Sequence, residues 1–295
     1  MNAFQYLAPI APFEFEAPDS VQELLALLRD EGRGARLVAG GTDLMIGLKE
    51  RLLQPKVVID MSRLRPELAG VYLEEGLLHI GALTTFSELE ADPLVARHAT
   101  ALGVAASQVG TLQIRNRGTI GGNLANASPA ADAAPPLIAL SALVRIRSSR
   151  GQRAVPVERF FTGVKTSGLL PDEVITSVEL PVEDEARSWW ARFARRNENV
   201  ISVVSVAARA ELNSGRFERC RISLGAVAPT PILATMASDA LSGKSADGAT
   251  IENAAKMASL ESRPISDVRA GAEYRRHLVY VLTKRVLSKL VGRGS

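Results

Sequence analysis

The alternation of apolar and polar positions near the N-terminus predicts a small unit of strand, helix and strand. Residues 20–23 (SVQE) have the form of a capping box and precede four leucines within 24–28, a pattern that predicts a helix. The apolar runs 36–39 and 56–60 are typical of short buried strands, and the amphipathic segment 44–53 lies between them. Together these segments predict a βαβ-like unit.

Further along, the pattern predicts a mixed region and then a region of long strands followed by helices. Residues 71–83 have the pattern of a hairpin that turns at Glu75-Gly76. The other elements predicted before residue 182 are helices at 86–89, 93–109 and 129–141, and strands at 143–147 and 173–180. Beyond it, strands at 200–212 and 217–227 and helices near the C-terminus predict a separate α+β domain.

Pro181 and the acidic cluster 183–185 mark the predicted domain boundary. We therefore expect one domain at 1–182, with subdomains at about 1–60 and 61–182, and a second domain at 183–295.

Composition excludes several classes of protein. The chain has 295 residues and one cysteine, Cys220, which cannot form an intrachain disulfide or a cysteine-based zinc or iron–sulfur site by itself. No signal peptide and no apolar run of about 18 residues is predicted, so we expect no membrane span and a cytoplasmic protein. The net charge of +3 is diffuse, which argues against nucleic-acid binding.

The first segment with predicted chemistry is Ala39-Gly40-Gly41-Thr42-Asp43-Leu44, where a strand passes into a helix. Glycine lets the backbone approach a phosphate closely, and the first N–H groups of a helix face a negative charge favourably. Thr42 or Asp43 could cap that helix. The segment is therefore a candidate anion site.

A second glycine pair lies in the predicted loop 118–129, which contains Gly118-Thr119-Ile120-Gly121-Gly122-Asn123. Ser128 and Pro129 suit the N-cap and first position of the helix predicted after it. Either glycine pair alone would commonly be an ordinary turn, but two such loops could hold a pyrophosphate from two sides. No G-x-G-x-x-G follows a strand, and 242–245 (SGKS) is interpreted as a loop.

These segments carry a resemblance to a known family. The runs 39–44 (AGGTDL), 113–123 (QIRNRGTIGGN) and 272–278 (AEYRRHL) resemble those of the medium, FAD-binding subunit of the xanthine dehydrogenase and carbon monoxide dehydrogenase family. The similarity spans essentially the whole chain, and the middle run is the most specific of the three.

The resemblance implies an α+β fold with a two-subdomain FAD-binding region of the vanillyl-alcohol oxidase (PCMH) type and a C-terminal α+β domain of the CO dehydrogenase flavoprotein type. FAD would lie in the cleft between the subdomains. Residues 39–44 and 118–123 would hold its pyrophosphate, Asp132 matches a position that contacts the cofactor, and Ile175 would contact the flavin or the adenine. Because neither glycine loop contains a histidine, we expect FAD to be bound non-covalently.

The resemblance also implies partners. A small subunit with two [2Fe–2S] clusters would receive electrons from a large molybdopterin subunit and pass them to FAD, which would deliver them to an external acceptor. We expect a dimer of such heterotrimers. On this view the chain is an oxidoreductase subunit without catalytic side chains of its own and without a metal site.

Two alternatives stay open. A stand-alone reductase of the UDP-N-acetylenolpyruvoylglucosamine reductase type would share the FAD-binding fold but would need a substrate pocket, and the 272–278 segment argues against it. A binding module that has lost flavin is disfavoured by the two intact glycine pairs.

The C-terminal helix carries basic residues including Arg275 and Arg276, which predict an amphipathic helix with a solvated basic face.

Overall fold

The computed structural model describes residues 10–31, 34–183, 185–196 and 199–292. A small parallel sheet comes first, in the order β1-β3-β2, with strands β1 (Glu14–Glu16), β2 (Ala35–Val38) and β3 (Val57–Asp60). Helix α1 (Val21–Glu31) precedes β2, and α2 (Leu44–Lys49) connects β2 to β3. The predicted βαβ unit is confirmed, and the Ser20 hydroxyl accepts the Glu23 N–H at 3.2 Å, as its capping pattern indicates.

The second part is an antiparallel five-stranded sheet, in the order β4-β5-β10-β6-β7, covered by helices. Its strands are β4 (Val71–Glu74), β5 (Leu77–Gly81), β6 (Leu143–Ser148), β7 (Gly151–Pro156) and β10 (Val174–Pro181), with a two-stranded ribbon formed by β8 (Phe161–Gly163) and β9 (Thr166–Ser167). The first helices here are a 3₁₀ turn (Ser62–Leu64), α3 (Arg65–Leu68), α4 (Phe86–Ala91), α5 (Pro93–His98) and α6 (Thr100–Ala106). The later ones are α7 (Leu112–Arg115), α8 (Ile120–Asn126), α9 (Ala134–Ala139) and α10 (Val157–Phe160).

Two helix predictions in this part are wrong. The single helix expected over 93–109 is two helices, because the backbone at Ala99 leaves the helical region (φ −136°, ψ 44°). The helix expected to begin at Ser128 and Pro129 begins only at Ala134, and the segment predicted to be a loop contains α8. Thr119 is the N-cap of α8, and its hydroxyl accepts the Gly122 N–H at 3.1 Å.

The third part is a four-stranded antiparallel sheet, in the order β11-β12-β13-β14. The strands are β11 (Ala186–Phe193), β12 (Val204–Asn213), β13 (Arg216–Gly225) and β14 (Ile232–Leu233), and the helices are α11 (Thr235–Asp239), α12 (Gly248–Glu261) and α13 (Ala272–Leu290). Residues of α12 and α13 bury their apolar side chains in one core with β12 and β13. The α+β fold class is thus confirmed, and none of the helices within the described ranges is long and apolar enough to span a bilayer.

The other face of the third sheet packs on helices of the second part. Trp190 is 1% exposed and lies in a cluster of small residues drawn from both parts: Ala101, Ala105, Ala139 and Ala207. Polar contacts reinforce the junction, because the Ser223 hydroxyl donates to the Pro135 carbonyl and the Arg221 guanidinium donates to the Ile138 carbonyl. The Ala226 N–H also donates to the Pro129 carbonyl at 2.9 Å.

Helix α13 contradicts one expectation. Arg275, predicted on a solvated basic face, is 3% exposed. Its guanidinium donates to the carbonyls of Val203 (2.8 Å) and Ala226 (3.2 Å) and pairs with Asp267 (2.7 Å). Arg276, the next residue, is exposed. The Arg275 side chain therefore ties the last helix to two loops of the third sheet.

Candidate functional site

A cavity of about 750 Å³ lies where the carboxyl end of the small parallel sheet meets the second part of the chain. The segment after β2 forms one wall, and the segment that begins α8 forms another. Crevices at the carboxyl ends of parallel strands are common ligand sites, because the loops that follow the strands converge there.

Gly40 and Gly41 have different structural roles. A Cβ atom on Gly40 would lie 1.9 Å from the carbonyl oxygen of Arg117, so the two loops touch here through their backbones. Gly41 has a φ of +75°, in the left-handed region that glycine adopts readily. The first glycine pair is therefore required by the path of the chain itself, in addition to any ligand.

The same loop offers a row of free hydrogen-bond donors. Among the described residues, none accepts a hydrogen bond from the backbone N–H groups of Gly40, Gly41, Thr42, Asp43 or Leu44. All five residues line the cavity. Partly buried N–H groups without a protein acceptor are satisfied by water or by a ligand, and anions are strong acceptors.

The second glycine pair has a similar division of roles. A Cβ atom on Gly121 would lie 2.8 Å from the Ala82 carbonyl oxygen, whereas a Cβ atom on Gly122 would meet only the Thr119 hydroxyl, at 3.0 Å. Gly122 is exposed toward the cavity, and the buried Oδ1 atom of Asn123 has no hydrogen-bond partner. A polar atom buried without a partner is uncommon and points to a missing ligand or water.

One side-chain contact joins the two walls. The Asn126 amide donates to the Asp43 carboxylate at 2.9 Å. Asp43 occupies the N-cap position of α2, but its side chain makes no capping hydrogen bond there, which differs from the predicted role. This contact fixes the loop after β2 against the end of α8.

Most of the predicted site residues meet at this cavity. Its lining includes Ala39, Gly40, Gly41, Thr42, Asp43, Leu44, Gly118, Thr119, Gly121, Gly122, Asn123 and Ile175. Ile120 does not line it, because its side chain points into the core beneath the loop and is 0% exposed. Asp132 is also outside the lining.

Local sequence patterns do not identify the rest of the wall. Apolar side chains supply much of it, including Leu53, Phe86, Val109, Ile114 and Leu169. Lys165 and Glu173 add charge, and the Glu173 carboxylate is held by the Arg153 guanidinium through contacts of 2.8 and 2.7 Å. These residues come from distant segments, so local patterns could not group them.

Asp132 lies at the junction with the third part of the chain. Its carboxylate accepts the Ser202 hydroxyl at 2.6 Å and pairs with the Arg192 guanidinium at 3.0 Å. Burial raises the pKa of Asp132 to about 6, although the contacts with Ser202 and Arg192 act in the opposite direction. The folded chain therefore binds a proton at Asp132 more tightly than the unfolded chain does.

We expect a pH dependence of stability from this carboxyl. A raised folded pKa contributes stability that is complete below the unfolded pKa of about 4 and is lost as the pH rises through about 6. The loss between pH 4 and pH 6 should be about 2 kcal/mol, and Asp132→Asn should abolish it. Urea unfolding of both proteins at several pH values measures this difference, and parallel curves for the two would contradict it.

The donor set fits FAD. The free N–H groups of residues 40–44 and the exposed Gly122 suit a diphosphate, and the apolar wall suits a flat ring system. The carboxylates of Asp43 and Glu173 face the cavity but already have partners in Asn126 and Arg153. Among the described residues, no group of three or more His, Cys, Asp or Glu side chains could hold a metal ion.

Comparison with known proteins agrees with this geometry. Residues 11–183 match the family described as the FAD binding domain in molybdopterin dehydrogenase, and residues 190–290 match the CO dehydrogenase flavoprotein C-terminal domain. The second match disfavours the alternative of a stand-alone reductase of the UDP-N-acetylenolpyruvoylglucosamine reductase type.

Individual relatives are similar over nearly their whole length. A putative xanthine dehydrogenase FAD-binding subunit of Escherichia coli K12 is 35% identical over 92% of this chain and 94% of its own. The carbon monoxide dehydrogenase medium chain of Hydrogenophaga pseudoflava is 32% identical over 94% and 96%. The solved carbon monoxide dehydrogenase from that organism superposes with a TM-score of 0.93 at 32% identity, covering 98% of this chain and 100% of the matched one.

Proposed function

This chain belongs to the family of FAD-binding subunits of molybdopterin dehydrogenases, and from that premise we propose that it is an electron-transfer subunit. In this proposal it holds FAD non-covalently in the cavity described above. Electrons would arrive from [2Fe–2S] clusters of a partner subunit and leave through FAD to an external acceptor.

The single observation that carries the proposal is the row of free N–H donors at Gly40–Leu44 beside a large cavity with an apolar wall. We assign residues 39–44 and, in the second loop, Gly118, Thr119, Gly121, Gly122 and Asn123 to the diphosphate, with the side-chain NH₂ of Asn123 as a further donor. Ile175, at the start of β10, would contact the ring system. Asp132 would act through its contact with Arg192, holding the third part of the chain beside the cofactor.

FAD supplies the redox chemistry when bound, since it can exchange electrons with both one-electron and two-electron partners. The residues of this chain bind and orient the cofactor and exclude water from it. Leu53, Phe86, Val109, Ile114 and Leu169 form the apolar surface that does so. We assign no catalytic side chain and no metal ligand.

The names of relatives support the proposed partners. Several relatives are called medium chains or FAD-binding subunits, such as the carbon monoxide dehydrogenase medium chain and the glyceraldehyde dehydrogenase medium chain of Sulfolobus acidocaldarius. We propose a small [2Fe–2S] subunit and a large molybdopterin subunit as partners of this chain, assembled in the cytoplasm as a dimer of heterotrimers.

The visible spectrum of the purified chain tests cofactor binding. We expect oxidised-flavin absorption bands, and we expect the yellow colour to move to the supernatant after acid precipitation because the site offers no covalent attachment. A colourless chain that also takes up no added FAD would refute the cofactor assignment. Colour retained in the pellet would refute non-covalent binding alone.

The electron route needs a separate test. Co-purification with the partner subunits should give flavin that is reduced when an organic substrate reduces the molybdenum subunit, whereas the isolated chain with the same substrate should stay oxidised. Reduction of the flavin in the isolated chain by the substrate would contradict the proposal that substrate is oxidised in the molybdenum subunit.

A further inference from the structure

Lys165 lies in the turn between β8 and β9 and lines the cavity. Its φ of +53° is in the left-handed region, which residues other than glycine rarely adopt. Tight hairpin turns commonly require this conformation, so it fixes the path of the turn between β8 and β9. Here the Lys165 N–H donates to the Ala127 carbonyl at 3.0 Å.

That hydrogen bond connects Lys165 to the end of α8, which contacts the donor loop, the segment 40–44 with the free N–H groups. Ala127 is the residue after α8, and the preceding residue, Asn126, donates to the Asp43 carboxylate. The backbone of Lys165 is thus one residue away from the contact that joins α8 to the segment after β2. Lys165 therefore lines the same cavity as residues 40–44, which carry the free N–H groups.

The Lys165 side chain is exposed, and within the described part of the chain its ammonium makes no ion pair or hydrogen bond. The carboxylates of Asp43 and Glu173 are already engaged by Asn126 and Arg153. Glu50 also lines the cavity but lies at the C-terminal end of α2, about 9 Å from the N-terminal end of that helix.

Arg36 is the other cation in the lining. It precedes the donor loop in β2, and one of its guanidinium nitrogens donates to the Ala35 carbonyl at 2.9 Å. Of the two cations, Lys165 therefore has the better position to meet a group held by the loop.

We propose that Lys165 binds the diphosphate of FAD and supplies the positive charge that the two glycine loops lack. The inference rests on the proposed function and extends it, since backbone N–H groups provide partial charges whereas two phosphates bring full negative charges. Charge-assisted hydrogen bonds to phosphate are roughly twice as strong as neutral ones.

The test compares Lys165→Met with Lys165→Arg in the full chain, using FAD as the ligand. Lys165→Met keeps a long side chain and removes the charge, so we expect the Kd for FAD to rise about tenfold. Lys165→Arg should restore nearly the original affinity. Lys244 is an exposed lysine in the third part of the chain, so Lys244→Met is the matched control for the loss of one charge. We expect it to leave the Kd for FAD unchanged.

Spectroscopy at saturating FAD identifies the group that Lys165 contacts. We expect Lys165→Met to move the phosphorus-31 resonances of the bound diphosphate and to leave the flavin absorption spectrum and midpoint potential unchanged. A changed potential with unchanged phosphorus resonances would place the ammonium at the ring and overturn the proposal, as would an unchanged Kd. If the unsubstituted chain takes up no FAD, the proposed function itself fails.

Discussion

Replacing Gly40 by alanine should abolish FAD binding and lower the free energy of unfolding by about 3 kcal/mol, at the upper end of the usual cost of overpacking. The added Cβ would lie 1.9 Å from the Arg117 carbonyl oxygen and 2.5 Å from its carbon. Both atoms belong to the backbone, so no side-chain rotation relieves the clash. The loop after β2 must move away from the segment that precedes α8, and its free N–H groups move with it.

Urea unfolding and FAD titration measure the two effects of Gly40→Ala. Gly248→Ala, in the first turn of α12, is the matched control, because a Cβ there meets no atom within 4 Å. We expect the control to keep full FAD affinity and nearly unchanged stability. A Gly40→Ala chain that unfolds at the original urea concentration would show that the two loops can separate without cost.

Arg275→Met should lower the free energy of unfolding by about 4 kcal/mol, as is typical when one partner of a buried charged network is removed. The substitution leaves the carbonyls of Val203 and Ala226 without their donor. It also removes a partner of Asp267. Burial alone would raise the pKa of Asp267, but hydrogen bonds from Arg269, Arg275 and Ala270 lower it to about 2.

Equilibrium unfolding of Arg275→Met tests this expectation, and the neighbouring residue provides the control. Arg276 is exposed, its side chain makes no ion pair with a described residue, and Arg276→Met should change stability by less than about 0.5 kcal/mol. Equal losses in the two variants would mean that only the net charge of α13 matters. The difference between the two free energies of unfolding therefore measures the contribution of the buried network, apart from the loss of one positive charge.

The donor loop after β2 could be predicted because its signal is local. A buried strand, a glycine pair and an amphipathic segment follow one another within a few residues, and the structure contains that order at Val38, Gly40 and Leu44. Both glycine pairs were therefore recognised without knowledge of the tertiary structure. The close approach of Gly40 to the Arg117 carbonyl could not be predicted, because the two residues are far apart in the sequence.

Helix α8 was missed because its own sequence opposes it. Gly121 and Gly122 have low helix propensity, and the surrounding small polar residues are typical of a loop. Contacts outside the helix compensate for this, since Thr119 caps it and Gly121 packs on the backbone of Ala82. Tertiary packing has overridden local preference at the very segment proposed to hold the cofactor.

Arg275 and Lys165 illustrate a second limit of sequence patterns. The amphipathic pattern of the C-terminal helix predicts Arg275 on a solvated basic face, but its carbonyl acceptors lie 72 and 49 residues away in the sequence. Lys165 stands in a turn that no local pattern connects with the glycine loops. Only the family resemblance indicates Asp132, because its partners Arg192 and Ser202 come from the third part of the chain.

The junction between the second and third parts of the chain combines side-chain contacts, such as those of Asp132 with Arg192 and Ser202, with hydrogen bonds to the peptide backbone. The third part donates hydrogen bonds to the carbonyl oxygens of Pro129, Pro135 and Ile138, groups that every amino acid possesses. Substitutions along that segment can therefore accumulate without loss of these bonds, provided that the chain follows the same path. We therefore expect chimeras that exchange the third part between relatives to fold when the small residues around Trp190 and the contacts of Asp132 with Arg192 and Ser202 are retained.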